Sequence, residues 1–483
     1  ALAGRRPSWR ELLPLTEATG ADLHALCATA DALRAQQAGE LVTYVVNRNI
    51  NFTNVCVKKC AFCAFSRNGR SEEGYFLDLA EIVRRVVEAR AYGATEVCIQ
   101  AGLAPGIDGM FYVDVVRAVK RAAPAIHVHA FSPEEVKYGA HRARLPVREY
   151  LQALREAGLG SLPGTSAEIL DDDVRARLAP GRITSAEWLD VVRTAHEVGL
   201  RTTATMMYGH LESPADRLRH METIRDLQRD TGGFTEFVPL SFVHEEAPLF
   251  AAQPGVRPGP GGLDVVRTHA LARVLLGADV ANLQVSWVKE GFRVAEHLLA
   301  CGVNDLGGTL MNESISTSAG ARHGQVATPA ELQRLAHGVG RVAAERTTLY
   351  GLVAPGAGHR ERDALERVGD AAATFGTYAA LTRDPRFRFQ RRLPPVSMLP
   401  VVPTLVGSTG QDLVEVGGRV EVEGEAVGAH HRHAQPGGGG ADQVAGEAVA
   451  VAETRGHGRG QAQGEGVGAE LISIRRKHQV RAV

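Results

Sequence analysis

About eight short apolar runs recur along this chain, and amphipathic segments lie between them. The runs are Leu41–Val46, Glu96–Gln100, Ile126–Ala130, Gly160–Leu162, Arg201–Met207, Glu236–Pro239, Asn282–Val285 and Asn304–Leu306. Helical patterns fill the gaps at roughly 78–92, 111–123, 147–157, 185–198, 214–230, 264–277 and 289–301, with a last one over 329–345. Residues 8–40 also read as helical. Strand then helix, repeated in this way, predicts an α/β chain folded as a parallel TIM-type (β/α)8 barrel over 41–350, with 1–40 as an N-terminal helical extension. The helix starts carry a mechanism. Thr328-Pro-Ala-Glu331 and Thr184-Ser-Ala-Glu187 are capping boxes, and Ser213-Pro-Ala-Asp216 and Ser132-Pro-Glu-Glu135 offer a Ser cap with early acids. A barrel of this kind carries its chemistry on the loops after the strands.

The loop after the first run contains Cys56, Cys60 and Cys63, spaced Cys-x3-Cys-x2-Cys. Three thiolates on one short loop can hold three irons of a 4Fe–4S cluster and leave the fourth iron for another ligand. An aromatic residue, Phe62, precedes the last cysteine. Zinc is the competing reading, but zinc sites usually add a second, distant ligand pair. No further His or Cys stands near this loop. A disulfide framework does not suit so long a chain with 6 cysteines.

The 483 residues suffice for one large barrel or about two to three average domains. Lys and Arg number 54 against 55 Asp and Glu, a formal net charge of -1. That balance gives no electrostatic footprint for nucleic acid. No apolar run reaches the roughly 20 residues of a membrane helix. The N-terminus lacks the apolar stretch of a secretory signal. The scattered Cys27, Cys98 and Cys301 fit a reducing cytoplasm.

Beyond about 350 the character changes. Residues 351–404 form an extension in which Phe375, Tyr378, Leu381, Phe387 and Phe389 could pack on the barrel's outside. From 405 to 483 the chain is Gly-, Ala-, Val- and Glu-rich, and a disordered tail is expected, because such composition cannot bury enough apolar surface to offset ordering. A metal site at His430–His433 and an out-of-frame translation are the alternative readings of that tail.

Longer strings narrow the reading. They are Val46–Asn54, Gln100–Pro105, His127–Glu135, Leu162–Leu170 and Asn304–Ser316. With the cysteine motif, they make the chain resemble the radical S-adenosylmethionine (SAM) enzymes and, among them, the tyrosine-using subunit family of FO synthase. These are the 5-amino-6-(D-ribitylamino)uracil–L-tyrosine 4-hydroxyphenyl transferases, which serve coenzyme F-420 biosynthesis. The resemblance spans roughly 8–350. It implies a 4Fe–4S cluster on Cys56, Cys60 and Cys63, SAM on the open iron, and L-tyrosine and 5-amino-6-(D-ribitylamino)uracil as substrates. SAM would yield a 5'-deoxyadenosyl radical that takes a hydrogen from tyrosine, whose 4-hydroxybenzyl group then joins the uracil. The resemblance also implies an electron donor such as a ferredoxin or flavodoxin, and a second radical SAM subunit, fused in some organisms. A first residue that is Ala, not Met, is compatible with a piece of such a fusion.

The same resemblance places cofactor contacts at Phe62, Gln100, Gly102, Glu168 and Arg182. Gln100-Ala101-Gly102 stands where the superfamily usually has Gly-Gly-Glu to receive the SAM amino group. Glu168 is a candidate for the SAM ribose or a helix-start carboxylate. Arg182 is a candidate for the SAM carboxylate or a surface residue. Substrate contacts are expected from His127, His129 and Ser132, and from Asn312, Glu313, Ser314 and Ser316, which could instead be a capped turn. Met206 and Met207 read as packing. Two other activities fit less of the pattern. An aminofutalosine synthase-like enzyme of menaquinone biosynthesis shares the barrel. A non-enzymatic iron–sulfur carrier calls for a fourth cysteine ligand, and neither Cys98 nor Cys301 lies in a motif.

Overall fold

A computed structural model describes residues 2–354 and 364–390. The expectations for 391–404, for the tail from 405 and for His430–His433 lie outside these residues. The strands are β1 (Leu41–Val45), β2 (Asn47–Ile50), β3 (Glu96–Ile99), β4 (His127–Ala130), β5 (Ser161–Leu162), β6 (Arg201–Tyr208), β7 (Phe234–Ser241), β8 (Asp305–Gly308) and β9 (Val342–Glu345). All of their pairings are parallel, in the orders β2-β3-β4-β5-β6-β7 and β8-β1-β9. Single bridges carry the ring onward. Phe237 pairs with Leu283, Gln284 with Asp305, and Met311 with Arg48. The circuit of parallel pairs therefore closes as a barrel.

Alternation along each strand decides what faces where. On β3, Val97 and Ile99 are fully buried beneath helices, while Glu96 and Cys98 line the interior. On β4, Val128 and Ala130 are fully buried. His127 and His129, the alternate residues of that strand, share the Ser161 hydroxyl across β5. Each outward aliphatic side chain covered by a helix contributes about 2 kcal/mol of burial free energy. The inward residues are polar on β2 to β4, so this interior is a cavity wall and not a filled core.

The helices depart from the sequence reading in defined places. The helix start read at Ser132 opens Pro133–Ala143, for which the sequence reading gave no span, and Asp172–Leu178 is an additional helix. The expected helix 8–40 divides into Trp9–Leu12, a 3₁₀ turn at Leu13–Glu17 and Gly20–Ala38. The expected helix 329–345 stops at Gly338, and β9 follows. Gly340, with φ of 72°, makes the turn between them at no steric cost. Residues 46–54, read as a lead-in to the cysteines, contain strand β2. The run 282–285 contributes bridges but no full strand.

β9 reaches under the barrel, pairing with β1 from Leu41↔Val342 to Tyr44↔Glu345. The chain that follows supplies the floor. Arg346 grips Asp305 with two bonds of 2.5 and 2.9 Å and reaches Glu236 at 3.2 Å. Tyr350 donates to Glu236, and Thr348 donates to Glu96 at 2.6 Å. Burial pushes Glu236 up to about 7, against the pull of Arg346. Residues 371–389 return to the outer wall. Phe375 is buried against Tyr92 and lies under Arg48, while the rings of Tyr378 and Phe389 meet Phe65 and Phe76. Leu381 and Phe387 pack on the same core.

Candidate active site

The cysteine loop leaves β2 at the C-terminal end of the barrel. Its backbone is clamped by Cys56 N–H to Arg67 O at 2.9 Å, Val57 N–H to Leu103 O at 2.9 Å, and Ala61 N–H to Leu178 O at 3.1 Å. Gly102 makes the closest approach. A Cβ there would lie 2.4 Å from the carbonyl oxygen of Val55. A side chain at this position would therefore collide with the cysteine loop, and Gly102 also lines the cavity onto which that loop opens.

Cys56, Cys60 and Cys63 all open onto one cavity of about 410 Å³. All are free thiols, half-buried. Burial raises the Cys56 thiol and pushes Cys60 up to about 12, with Arg182 opposing it at Cys60. Among the described residues no three Cys, His, Asp or Glu side chains converge tightly enough to hold a single metal ion. Three thiols opening onto one cavity can hold three irons of a 4Fe–4S cluster.

Beside the thiols lies an ionic shelf. Arg182 bonds Glu168 at 2.8 Å, donates to Ser166, reaches Glu134 at 3.5 Å and sits 5.8 Å from the Phe62 ring centroid. Its side chain is 12% exposed, which rejects the solvated-surface alternative. Burial opposes its charge, but Cys60, Glu168 and Glu134 raise its pKa overall. Glu134 also accepts from Ile183 N–H at 2.7 Å and pairs with Lys58 at 3.1 Å. Gln100 accepts from Thr165 at 2.7 Å, and Asn51 donates to the Gln100 carbonyl at 2.8 Å. Glu135 accepts from Ala101 N–H at 2.9 Å and from Ser132 N–H and hydroxyl at 2.8 and 2.7 Å. The carboxylate that fixes the 100–102 strand end thus comes from the next helix.

The deeper wall is two-faced. Asn47, Asn49, His129 and Gln284 are polar, while Met207, Val238, Leu240 and Phe242 are apolar. Burial holds His129 down at about 4, so its imidazole is neutral near pH 7. Ser132, Glu313 and Ser316 line the cavity. Ser132 caps helix Pro133–Ala143, and Glu313 accepts the Ser316 and Thr317 amides at 2.9 and 3.2 Å. The capped-turn alternative for that string is what forms. His127, Asn312 and Ser314 do not line the cavity. His127 is spent on Ser161 below it. Asn312 donates to the Phe375 carbonyl at 2.6 Å, which holds the returning segment, and accepts from the Ser314 hydroxyl at 3.0 Å, which orients the Asn312 amide. Met206 is core, as expected, whereas Met207 reaches the cavity. Backbone strain gathers at this end. Phe131, Ser166, Glu168, Leu310 and Asn312 are non-glycine residues with φ between 45° and 70°.

Sequence reasoning passed over Lys58, Glu134, Glu135, Glu236, Lys289, Arg346 and Thr348, all on the cavity wall. Only Glu134 and Glu135 had a signal, since both follow the Ser132 cap.

A parallel barrel with three thiols at its mouth defines a radical SAM fold, and comparison agrees. The radical SAM superfamily model matches residues 50–224, and a CofH/MqnC C-terminal region model matches 231–352. The crystal structure of methylornithine synthase (PylB) superposes with a TM-score of 0.56 at 17% identity, over 71% of this chain and 96% of that one. The 5-amino-6-(D-ribitylamino)uracil–L-tyrosine 4-hydroxyphenyl transferase of Methanothermobacter thermautotrophicus is 49% identical over 340 residues, covering 70% of this chain and 92% of that protein. The FO synthase of Mycobacterium tuberculosis is 51% identical over 344 residues, but the match covers 40% of its length. The chain belongs to the family of 5-amino-6-(D-ribitylamino)uracil–L-tyrosine 4-hydroxyphenyl transferases, and its cofactors are those of the superfamily, a 4Fe–4S cluster and SAM. Among the described residues no helix is long and apolar enough to cross a membrane.

Proposed function

We propose that the chain joins the 4-hydroxybenzyl group of L-tyrosine to 5-amino-6-(D-ribitylamino)uracil, a step toward the deazaflavin FO. The observation that carries this is the single cavity. It has cysteines on its rim, an apolar wall of Met207, Val238, Leu240 and Phe242 that suits a phenol ring, and a facing polar wall that suits a hydrogen-bonding heterocycle. The kinship with the Methanothermobacter transferase supports it.

Cys56, Cys60 and Cys63 would hold the cluster, which when bound supplies the electron for reductive cleavage of SAM. Phe62, Gln100, Gly102, Glu168 and Arg182 border the space SAM would take. Their roles are to shape it, to hold the strand end and to screen the charge of the cluster. His129, neutral, and Gln284 can exchange hydrogen bonds with a uracil edge. Ser132, Glu313 and Ser316 shape the mouth. The electron would come from a donor such as a ferredoxin or flavodoxin in the cytoplasm. A second radical SAM subunit would supply the other half of FO synthase.

The test is direct. Reduced, anaerobic protein is incubated with SAM, L-tyrosine and 5-amino-6-(D-ribitylamino)uracil, and the coupled adduct is sought by mass spectrometry. Equal adduct formation with a purine nucleoside precursor and no uracil would overturn the reading in favour of an aminofutalosine synthase-like activity.

A further inference from the structure

Four fixed cations line the cavity: Lys58, Arg182, Lys289 and Arg346. Three are already engaged. Lys58 pairs with Glu134 at 3.1 Å and also donates to the Gly181 carbonyl. Arg182 is held by Glu168 at 2.8 Å, and Arg346 by Asp305 at 2.5 and 2.9 Å. The Lys289 amide bonds the Ser286 carbonyl at 3.0 Å, but its side-chain ammonium has no hydrogen-bond or ion-pair partner among the described residues.

Its acidic neighbours are Glu313, Glu290 and Glu168. Each is committed elsewhere. Glu313 accepts the Ser316 and Thr317 amides, Glu290 accepts from Ser241, and Glu168 serves Arg182. The side chain is partly buried at the cavity wall, and an anion entering the cavity would give its ammonium a charge-assisted partner. Burial already lowers the Lys289 pKa, and the three carboxylates oppose that shift.

Lys289 lies in the short helix Trp287–Glu290, just past the pairing at Leu283 and Gln284. That is the mouth end, where the cysteine loop also sits. Ile315 and Ser316 line the same cavity. Of the two proposed substrates, the ribitylaminouracil carries no charge near neutral pH. The amino acid brings a carboxylate.

We propose that Lys289 is the carboxylate receptor of this cavity and that it selects the amino-acid substrate by its α-carboxylate. The inference rests on the reading that this substrate is L-tyrosine. With the carboxylate held at the mouth, the phenol ring would reach the apolar wall of Met207, Val238 and Leu240. The fragment bearing the α-carbon would stay anchored while the side-chain carbon passes to the acceptor. A site built around a charge should reject an analogue that lacks it.

The test uses cluster-loaded protein with SAM and follows equilibrium binding of L-tyrosine and of tyramine, its decarboxylated analogue. The parent should prefer tyrosine. Lys289→Met should raise the Kd for tyrosine roughly tenfold or more, leave tyramine unchanged and erase the preference. Lys289→Arg should keep the preference. Cluster content and SAM binding serve as controls for folding. Should Lys289→Met lose its cluster, Lys289→Gln carries the same measurement. A neutral variant that binds tyrosine as tightly as the parent overturns this inference alone. A parent that binds no tyrosine overturns the substrate reading and the inference together.

Discussion

Tyr378 accepts a hydrogen bond from Asn54 at 3.1 Å and donates one to the Phe65 carbonyl at 2.9 Å. A residue beyond the barrel thereby ties together the two ends of the loop that carries Cys56, Cys60 and Cys63. The Phe65 and Tyr378 rings lie 5.2 Å apart and Arg67 stands 5.9 Å from the phenol centroid, so the brace is packed as well as bonded.

Removing the phenol hydroxyl with Tyr378→Phe should cost about 1–2 kcal/mol and speed cluster loss in air. Truncation after 404 should leave cluster content and turnover within about twofold, because the bracing residues remain. Truncation after 350 should lose the cluster, since it strips Phe375 from Asn312 and Tyr378 from Asn54. Iron and sulfide analysis of the two truncated chains decides this. Equal cluster content in both would dismiss the brace.

Each of Cys56→Ala, Cys60→Ala and Cys63→Ala should abolish SAM cleavage after anaerobic reconstitution while far-ultraviolet circular dichroism stays unchanged. The loop's backbone is clamped mainly by its own amides, the Cys56 sulfur adding one contact to the Lys58 N–H at 3.4 Å. Parental SAM cleavage by any one variant would remove that cysteine from the cluster assignment.

Arg346→Met should destabilise by about 3–5 kcal/mol, because Asp305 and Glu236 are left buried without their cation. Adding Asp305→Asn should recover part of the loss. Chemical denaturation of the single and double variants checks it. Additive losses would mean that the two residues are not coupled.

Two buried histidines set an acid limit. Burial holds His220 down at about 3 and His269 at about 4, both below the ordinary 6.5. A depressed histidine adds stability that is full above the unfolded value and is lost as pH falls below it. Each should therefore cost about 1.4 kcal/mol per pH unit between roughly 6.5 and its folded value. In His269→Leu the loss between pH 6 and 4.5 should be smaller than in the parent by about 2 kcal/mol. Parallel stability curves for the two proteins would contradict the assignment.

Local signals were legible in the sequence and distant ones were not. The boxes opening at Ser132, Thr184, Ser213 and Thr328 all form, because a cap is decided within four residues. The cysteine spacing was readable for the same reason. β9 was hidden because Val342–Glu345 continues a helix-like composition, and only Gly338 and Gly340 marked the break. The floor was hidden because the partners of Arg346, Asp305 and Glu236, lie 41 and 110 residues away in the chain. Asn312 looked like a ligand group because its partner, the Phe375 carbonyl, belongs to a segment the barrel pattern does not include, and Ser314 followed it because its hydroxyl is spent on Asn312. Lys289 carried no signal, since a lysine at a helix start is ordinary until its neighbours are known.

At Gly102 the cysteine loop and the strand end beside it are separated by less than the width of a methyl group. The two therefore cannot be adjusted independently. A change in the lean of β3 reaches Cys56 through the backbone of Val55, with no side chain between them to absorb it. Relatives or designed variants that carry a side chain at this position would have to re-site the whole cysteine loop. The position of all three thiols would then be reset by a residue that carries no thiol of its own.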